Sequence, residues 1–296
     1  MNAKQDVVMT FRGKAYNMSE EPIIMGILNH TPDSFYAGSR IQSEQMIHER
    51  IEQILAEGGK MIDVGGYSSR PDAEDVTPEE EWKRVREVLE ILRHHYPEVP
   101  VSVDTFRAEV ARRSIEEGDA DIINDVSGGI IDPNMLTTIA KLQVPYILMH
   151  MRGTPKTMQS LCHYDGRVAD GVIQELLPTI DRLEELGFSR SNIILDPGFG
   201  FSKTTEQNYE LMSDIDKFTA LGFPLLVGIS RKSMIYRFFG TTPQESLNAT
   251  TVLNTFALLH NAHIIRVHDV REAYEAMCIT TELRRLAHSN AASFAQ

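Results

Sequence analysis

The tightest constraint on the fold is a repeated unit: an apolar run of strand length stops abruptly in polar or charged residues, and a segment with helical spacing of apolar positions follows. Its clearest instance is residues 224–233, Pro-Leu-Leu-Val-Gly-Ile-Ser-Arg-Lys-Ser, where a buried-strand pattern gives way to two cations and a hydroxyl. The same break occurs after residues 23–28 at Asn29-His-Thr-Pro-Asp-Ser-Phe, and after 60–64 at Gly65-Gly66-Tyr-Ser-Ser-Arg-Pro71. It recurs after 99–103 at Asp104-Thr105, after 121–123 at Asn124-Asp125, and after 146–149 at His150. Residues 193–195 end at Asp196-Pro-Gly-Phe-Gly-Phe201, and 263–267 end around Arg266, His268 and Asp269. Continuous rather than alternating hydrophobicity is what a strand covered on both faces requires.

Between these runs lie helical stripes. Ile47, Ile51, Ile54 and Leu55 form one, closed by Gly58-Gly59. Thr77-Pro78-Glu79-Glu80 and Thr204-Thr-Glu-Gln207 carry capping-box spacing, and Thr242-Pro243-Gln244-Glu245 predicts the start of another helix bearing Leu253, Phe256 and Leu259. Eight strand signals alternating with helices predict an α/β protein, a (β/α)8 TIM barrel forming one domain over 1–296. Residues 1–21 form an N-terminal extension whose Arg12-Gly13 pair predicts a short hairpin that covers one end of the core. A doubly wound sheet is the competitor, but no GxGxxG follows the first strand.

In a barrel of parallel strands the carboxyl ends share one face, and sites are built there. Asn29, Asp104, Asn124, Asp196, Lys232, Arg266 and His268 would then converge on one polar pocket ringed by aliphatic strands. Taken singly, several have a plainer reading. Asp after a strand serves as a helix N-cap and Asn as a turn residue, and both readings stand for Asp104 and Asn124.

Composition narrows the partners. A formal net charge of −13 and a pI near 5.2 leave no general basic face for nucleic acid or an anionic membrane, so an anionic substrate must meet a local positive site. Only Cys162 and Cys278 occur, without a CxxC pair, which argues against a disulfide framework or structural zinc. The first residues lack the apolar core of a signal peptide and no apolar run approaches a membrane span, so the chain reads as cytoplasmic.

Seven motifs in order, Met25-Gly-Ile-Leu-Asn-His-Thr-Pro-Asp-Ser-Phe35, Asp63-Val-Gly-Gly-Tyr-Ser-Ser-Arg-Pro71, Asp104-Thr105, Asn124-Asp125, Leu195-Asp-Pro-Gly-Phe-Gly-Phe201, Ser230-Arg-Lys-Ser233 and Arg266-Val-His-Asp269, span nearly the whole chain. Together they resemble the dihydropteroate synthases. The resemblance implies a pterin-binding TIM barrel that condenses 6-hydroxymethyl-7,8-dihydropterin diphosphate with 4-aminobenzoate, releasing pyrophosphate and forming 7,8-dihydropteroate for folate synthesis. It also implies magnesium (Mg2+) as cofactor, a homodimer, and a family that sulfonamides target.

The roles implied for individual residues make chemical sense. A pterin offers an amino group and a ring N–H side by side, which Asp196 would accept in bidentate fashion, while Asn124 serves the other ring nitrogens. Lys232 would hold the ring carbonyl, Asp104 a further ring N–H or a water, and Arg266 would line the same pocket. Arg266 and His268, two apart on one strand end, would grip the diphosphate, with Ser69 beside them. Asn29 is a neutral oxygen ligand suited to magnesium that keeps water and phosphate as its other ligands. For 4-aminobenzoate, Phe201 and Pro71 would form an apolar wall beside Lys232; Ser233 would meet the carboxylate, and Ser69 and Arg70 would close over it. Phe201 also reads as a core aromatic beneath a Gly-rich turn.

The implied mechanism is dissociative: pyrophosphate leaves before the amine attacks, so electrostatic stabilisation carries the reaction and no side-chain nucleophile is needed. The chain departs from the family pattern at His30 (usually Val), Ala37 (usually Asp), Tyr67 (usually Glu) and Ser69 (usually Thr). Rival readings are a methyltetrahydrofolate-dependent corrinoid methyltransferase, a non-catalytic pterin binder and a sugar-phosphate barrel enzyme. The first, the enzyme runner-up, would share a barrel and pterin site but has little reason for Ser-Arg-Lys-Ser and Arg-x-His aimed at pyrophosphate.

Overall fold

Arg12 and Gly13 both adopt left-handed backbone, with φ of 52° and 72°. Two such residues in succession make the tight turn whose twist matches paired strands, and here they join β1 (Val8–Phe11) to an antiparallel β2 (Lys14–Asn17). The hairpin's apolar residues Met9 and Phe11, with Met18, pack on residues at or near the starts of the barrel strands, among them Ile23, Met61, Ile122 and Ile264. It plugs the end of the barrel opposite the strand carboxyl termini. The structure, a computed structural model, describes residues 6–30, 40–67 and 76–293.

Eight parallel strands follow: β3 (Ile23–Asn29), β4 (Met61–Gly65), β5 (Val101–Asp104), β6 (Ile122–Asp125), β7 (Tyr146–Met149), β8 (Ile193–Asp196), β9 (Leu226–Val227) and β10 (Ile264–Val267). Their order is β8-β7-β6-β5-β4-β3-β10-β9, and a single parallel bridge from Leu195 to Leu225 spans the remaining seam. The expected barrel is therefore present, nearly closed. β9 is shorter than the apolar run that announces it. Residues 225–230 are all buried, yet only Leu226 and Val227 pair in the ladder, because hydrophobicity reports burial rather than backbone pairing.

Around the strands lie α1 (Arg40–Ala56), α2 (Pro78–His95), α3 (Ala108–Glu116), α4 (Met135–Leu142), α5 (Val168–Glu185), α6 (Thr205–Ser213), the single turn α7 (Asp216–Thr219), α8 (Ser233–Phe239), α9 (Leu247–Leu259) and α10 (Val270–Ser293). Ile51, Ile54, Val85, Leu89, Val172 and Ile180 are among the helical residues that seal the main core against the outer faces of the strands. Thr77 caps α2, accepting from Glu80 N at 3.2 Å, and Thr204 forms a complete capping box with Gln207. Thr242 behaves differently from expectation. Glu245 does return to Thr242, but Gln244–Ser246 is a 3-10 turn and the α-helix begins only at Leu247. The Arg231 guanidinium donates to the Pro243 and Gln244 carbonyls, at 2.9 and 2.8 Å, and so occupies acceptors that a helical first turn would use. Among the described residues no helix is long and apolar enough to cross a membrane.

Candidate active site

Strand register assembles the site. Asn29 pairs with Gly65, Gly65 with Asp104, and Asp104 with Asn124, so four adjacent strands place these residues in one row at their carboxyl ends. A Cβ on Gly65 would lie 2.8 Å from Asn29 Oδ1, closer than real contacts allow, so glycine here is what lets the Asn29 amide lie across β4. Further round, Met149 pairs with Asp196.

Inside this row the charges compensate one another. Arg266 donates from Nε to Asp63 Oδ2 at 2.6 Å and from its terminal nitrogen Nη2 to Asp104 Oδ2 at 2.8 Å, while Asn124 Nδ2 donates to the same Asp63 oxygen at 3.1 Å. Burial opposes the Arg266 charge, but Asp63 and Asp104 more than offset it and hold the pKa above the usual arginine range. Asp104 moves the other way: burial raises its pKa to about 7, with Arg266 pulling it back. Asp63 is fully buried, and its Oδ1 has no partner among the described residues.

Asp196 and Lys232 face each other's charge across the turn that follows β8. Burial raises the Asp196 pKa, while Lys232, the Gly198 N–H and Arg266 lower it. Lys232 is brought down to about 8 by burial, against the pull of Asp196. Its ammonium donates to the Phe199 carbonyl at 2.5 Å and stands 4.7 Å from the centre of the Phe201 ring, within cation–π range. Phe201 packs with Val126, Met149, Met151 and Met158, an apolar wall beside the charged row. The turn needs glycine at 198, where φ is +72° and a Cβ would overlap the His150 carbonyl oxygen at 1.9 Å.

His268 lies just past β10, and its Nδ1 is 3.1 Å from Ser230 Oγ. Loss of hydration, then the charges of Arg266, Arg50 and Arg231, hold its pKa down at about 4, so the ring is neutral at pH 7. The residue is solvent-exposed, so burial counts for less here and the arginine charges are the firmer cause of the lowered pKa. Ser233 does open α8, with Lys232 at the cap position. Ser69, Arg70, Pro71 and Ala37 lie outside the described residues. The other two departures are placed: His30 Nε2 is 3.2 Å from Glu87 on α2, and Tyr67 packs edge-on against Phe106 with ring centres 5.1 Å apart.

Two residues were missed as site residues in the sequence. Asp63 stands inside an apolar strand run, and that placement of a carboxylate was the available signal. Lys203, two residues past Phe201, is buried and donates to the Gly198 and Phe201 carbonyls at 3.0 and 2.9 Å and to His150 Nδ1 at 3.1 Å. Nothing local marked it.

A (β/α)8 barrel whose strand carboxyl ends gather paired carboxylates, an amide, a lysine and an arginine on one face is the architecture of a barrel enzyme. A sequence profile described as pterin binding enzyme matches residues 25–268. The dihydropteroate synthase of Escherichia coli (strain K12) is 42% identical over 266 residues, covering 90% of this chain and 93% of that protein. The Yersinia pestis dihydropteroate synthase with a sulfonamide drug complex superposes with a TM-score of 0.86 at 37% identity, over 94% of this chain and 99% of that one. The Xanthomonas albilineans dihydropteroate synthase in complex with 7,8-dihydropteroate gives a TM-score of 0.80 at 32% identity, over 92% and 97% of the two chains. The chain belongs to the pterin-binding enzyme family and, within it, to the dihydropteroate synthases, transferases of folate biosynthesis.

Proposed function

We propose that this chain forms 7,8-dihydropteroate from 6-hydroxymethyl-7,8-dihydropterin diphosphate and 4-aminobenzoate, with pyrophosphate as the second product, in the pocket bounded by Asp104, Asn124, Asp196, Lys232 and Arg266. The observation that carries the reading is a buried row of acceptors facing one lysine: Asp196 and Asp104 accept, Asn124 does both, and Lys232 donates, which is the complement of a pterin edge. Asp196 takes the amino group and adjacent ring N–H, and Lys232 takes the ring carbonyl. Arg266, already shared between Asp63 and Asp104, forms the floor and turns its remaining donors toward the diphosphate.

The diphosphate end is assigned to Asn29, Ser69, Arg266 and His268. Because His268 is neutral at pH 7, it enters as a hydrogen-bond donor and takes up a proton only as the diphosphate's charge arrives. The aminobenzoate end is assigned to Phe201, Lys232 and Ser233 with Ser69, Arg70 and Pro71. Bond breaking precedes attack: the C–O bond to pyrophosphate opens, the pterin methylene carries positive charge that the electron-rich ring spreads, and the aryl amine adds and loses its proton. No side-chain nucleophile takes part.

Among the described residues no cluster of three His, Cys, Asp or Glu side chains is placed to cage a metal. The Asn29 amide laid over Gly65 fits magnesium that brings its water and phosphate oxygens with it. When bound, magnesium neutralises charge on the leaving group. We also assign a homodimer and a cytoplasmic location. The C-terminal helices α8 to α10 expose Phe238, Phe239, Val252, Leu259, Ile279 and Leu283, apolar side chains that a second copy of the chain would cover. The reaction is tested by pyrophosphate release, which should require both substrates. Binding of the pterin without any release would make the chain a binding protein only.

A further inference from the structure

We infer that Lys203, with His150 and Glu175 behind it, is a positioning residue for Asp196: it clamps the turn that carries this carboxylate and keeps a positive charge beneath it, so that Asp196 meets the ligand as an acceptor. The inference rests on Asp196 being the pterin carboxylate.

The geometry is a relay with one possible sense. Glu175, on α5, accepts from Arg152 Nε at 3.0 Å and lies 3.0 Å from His150 Nε2. Burial alone would raise the Glu175 pKa, but the bonds from His150 and Arg152 carry it to about 2, so it is a carboxylate and only accepts. His150 Nε2 must then bear the hydrogen. Burial and the Lys203 charge hold the His150 pKa at about 4, so the ring is neutral and Nδ1 presents a lone pair. Lys203 donates to that lone pair, and its other two hydrogens go to the Gly198 and Phe201 carbonyls. All three ammonium hydrogens are matched, which a neutral amine would not achieve. Burial drags the Lys203 pKa to about 7 against the pull of Asp196, so the ammonium form grows as the pH falls below 7, the side on which Asp196 would take a proton.

Gly198 is thus held on both sides: its N–H donates to Asp196 Oδ1 at 2.8 Å and its carbonyl accepts from Lys203. The charged groups around Asp196 are Lys232, Arg266 and Lys203, with Asp63 and Asp104 beyond Arg266. Around Lys203 they are Asp196, Lys232, Arg152 and Glu175, with the Cys162 thiol nearby. Loss of Lys203 therefore removes one of three positive charges from a buried carboxylate as well as a clamp on its turn.

The test is the affinity of 6-hydroxymethylpterin, measured by calorimetry from pH 5 to 8, for the unaltered protein, Lys203→Met and Glu175→Ala. Burial raises the Asp196 pKa, so in the unaltered protein affinity falls on the acid side as Asp196 takes a proton; Asp104, which also titrates in this range, is common to all three proteins and does not separate their limbs. Lys203→Met should weaken binding at pH 7 about tenfold or more and move that acid limb to higher pH. Glu175→Ala, at an exposed side chain further from Asp196, should move the limb the same way by less. Acid limbs that superimpose in a protein that binds the pterin overturn the inference alone, whatever happens to thermal stability. An unaltered protein that binds no pterin at any pH overturns the reading of Asp196 as well.

Discussion

Arg266 and Asp63 are joined over the intervening strand β3 by a 2.6 Å bond from Nε to Oδ2, and the same guanidinium continues to Asp104, so one side chain ties β10 to β4 and β5. This makes Arg266 structural before it is anything else, because without it two largely buried carboxylates face each other.

Arg266 and its neighbour His268 should therefore separate under mutation. Arg266→Met is expected to cost about 3–5 kcal/mol of stability in urea titrations, the scale for removing one partner from a buried ion pair. His268→Ala should leave stability nearly unchanged and weaken the diphosphate substrate while sparing plain hydroxymethylpterin. Equal weakening of both ligands would show that His268 does not meet the diphosphate.

Asp196→Asn should keep the fold and lose about 2–4 kcal/mol of pterin affinity, since an amide accepts only one of the two paired donors and turns an NH2 toward the other. Calorimetry that finds the affinity unchanged would remove Asp196 from the pterin site.

The ligand-free protein should carry a pH signature of Asp104. Its folded pKa, about 7, lies above the model-peptide value of 3.8, so between these limits the folded state binds a proton that the unfolded chain does not. Its contribution to stability is complete below the lower value and is lost as pH rises through about 7. The slope is at most one proton's worth, about 1.4 kcal/mol per pH unit. Urea midpoints from pH 5 to 8 should show a component of this sign that disappears in Asp104→Asn.

Gly65→Ala should imitate Asn29→Ala. An added methyl group at Gly65 meets the Asn29 amide oxygen at 2.8 Å and displaces it. Both variants are expected to raise the magnesium concentration needed for half-maximal turnover. Ala37→Asp should change kcat/KM by no more than about tenfold, because the diphosphate oxygens already supply the negative ligands. Restoration of an otherwise absent activity by that substitution would instead mark Ala37 as a lesion.

The exposed apolar residues of α8 and α10 should be covered by a second copy. Phe238 and Ile279 are 62% and 61% exposed. Phe238→Asp with Ile279→Asp is expected to turn a sedimenting dimer into a monomer, whereas a monomeric starting protein would refute the assignment.

Strand and helix order, the hairpin turn at Arg12-Gly13, the caps at Thr77 and Thr204, and the polar residue that ends each strand were all readable along the chain. Each depends on periodicity or on chemistry within a few residues. So was the approximate membership of the pocket, because parallel strands put their ends on one face whatever their exact lengths. The tertiary structure decided how those residues use one another. The row Asn29, Gly65, Asp104 and Asn124 exists only once register is set, and the apolar run at residues 225–230 did not reveal that just two of them pair in β9. Asp63 stands in an apolar strand run, and only folding brings Arg266 against it from 203 residues away. Lys203 was an ordinary lysine before a helix until His150 and two carbonyls closed around it. Charge compensation in a buried site is a property of distances across the barrel, and a linear pattern records which charges are present but not which of them meet.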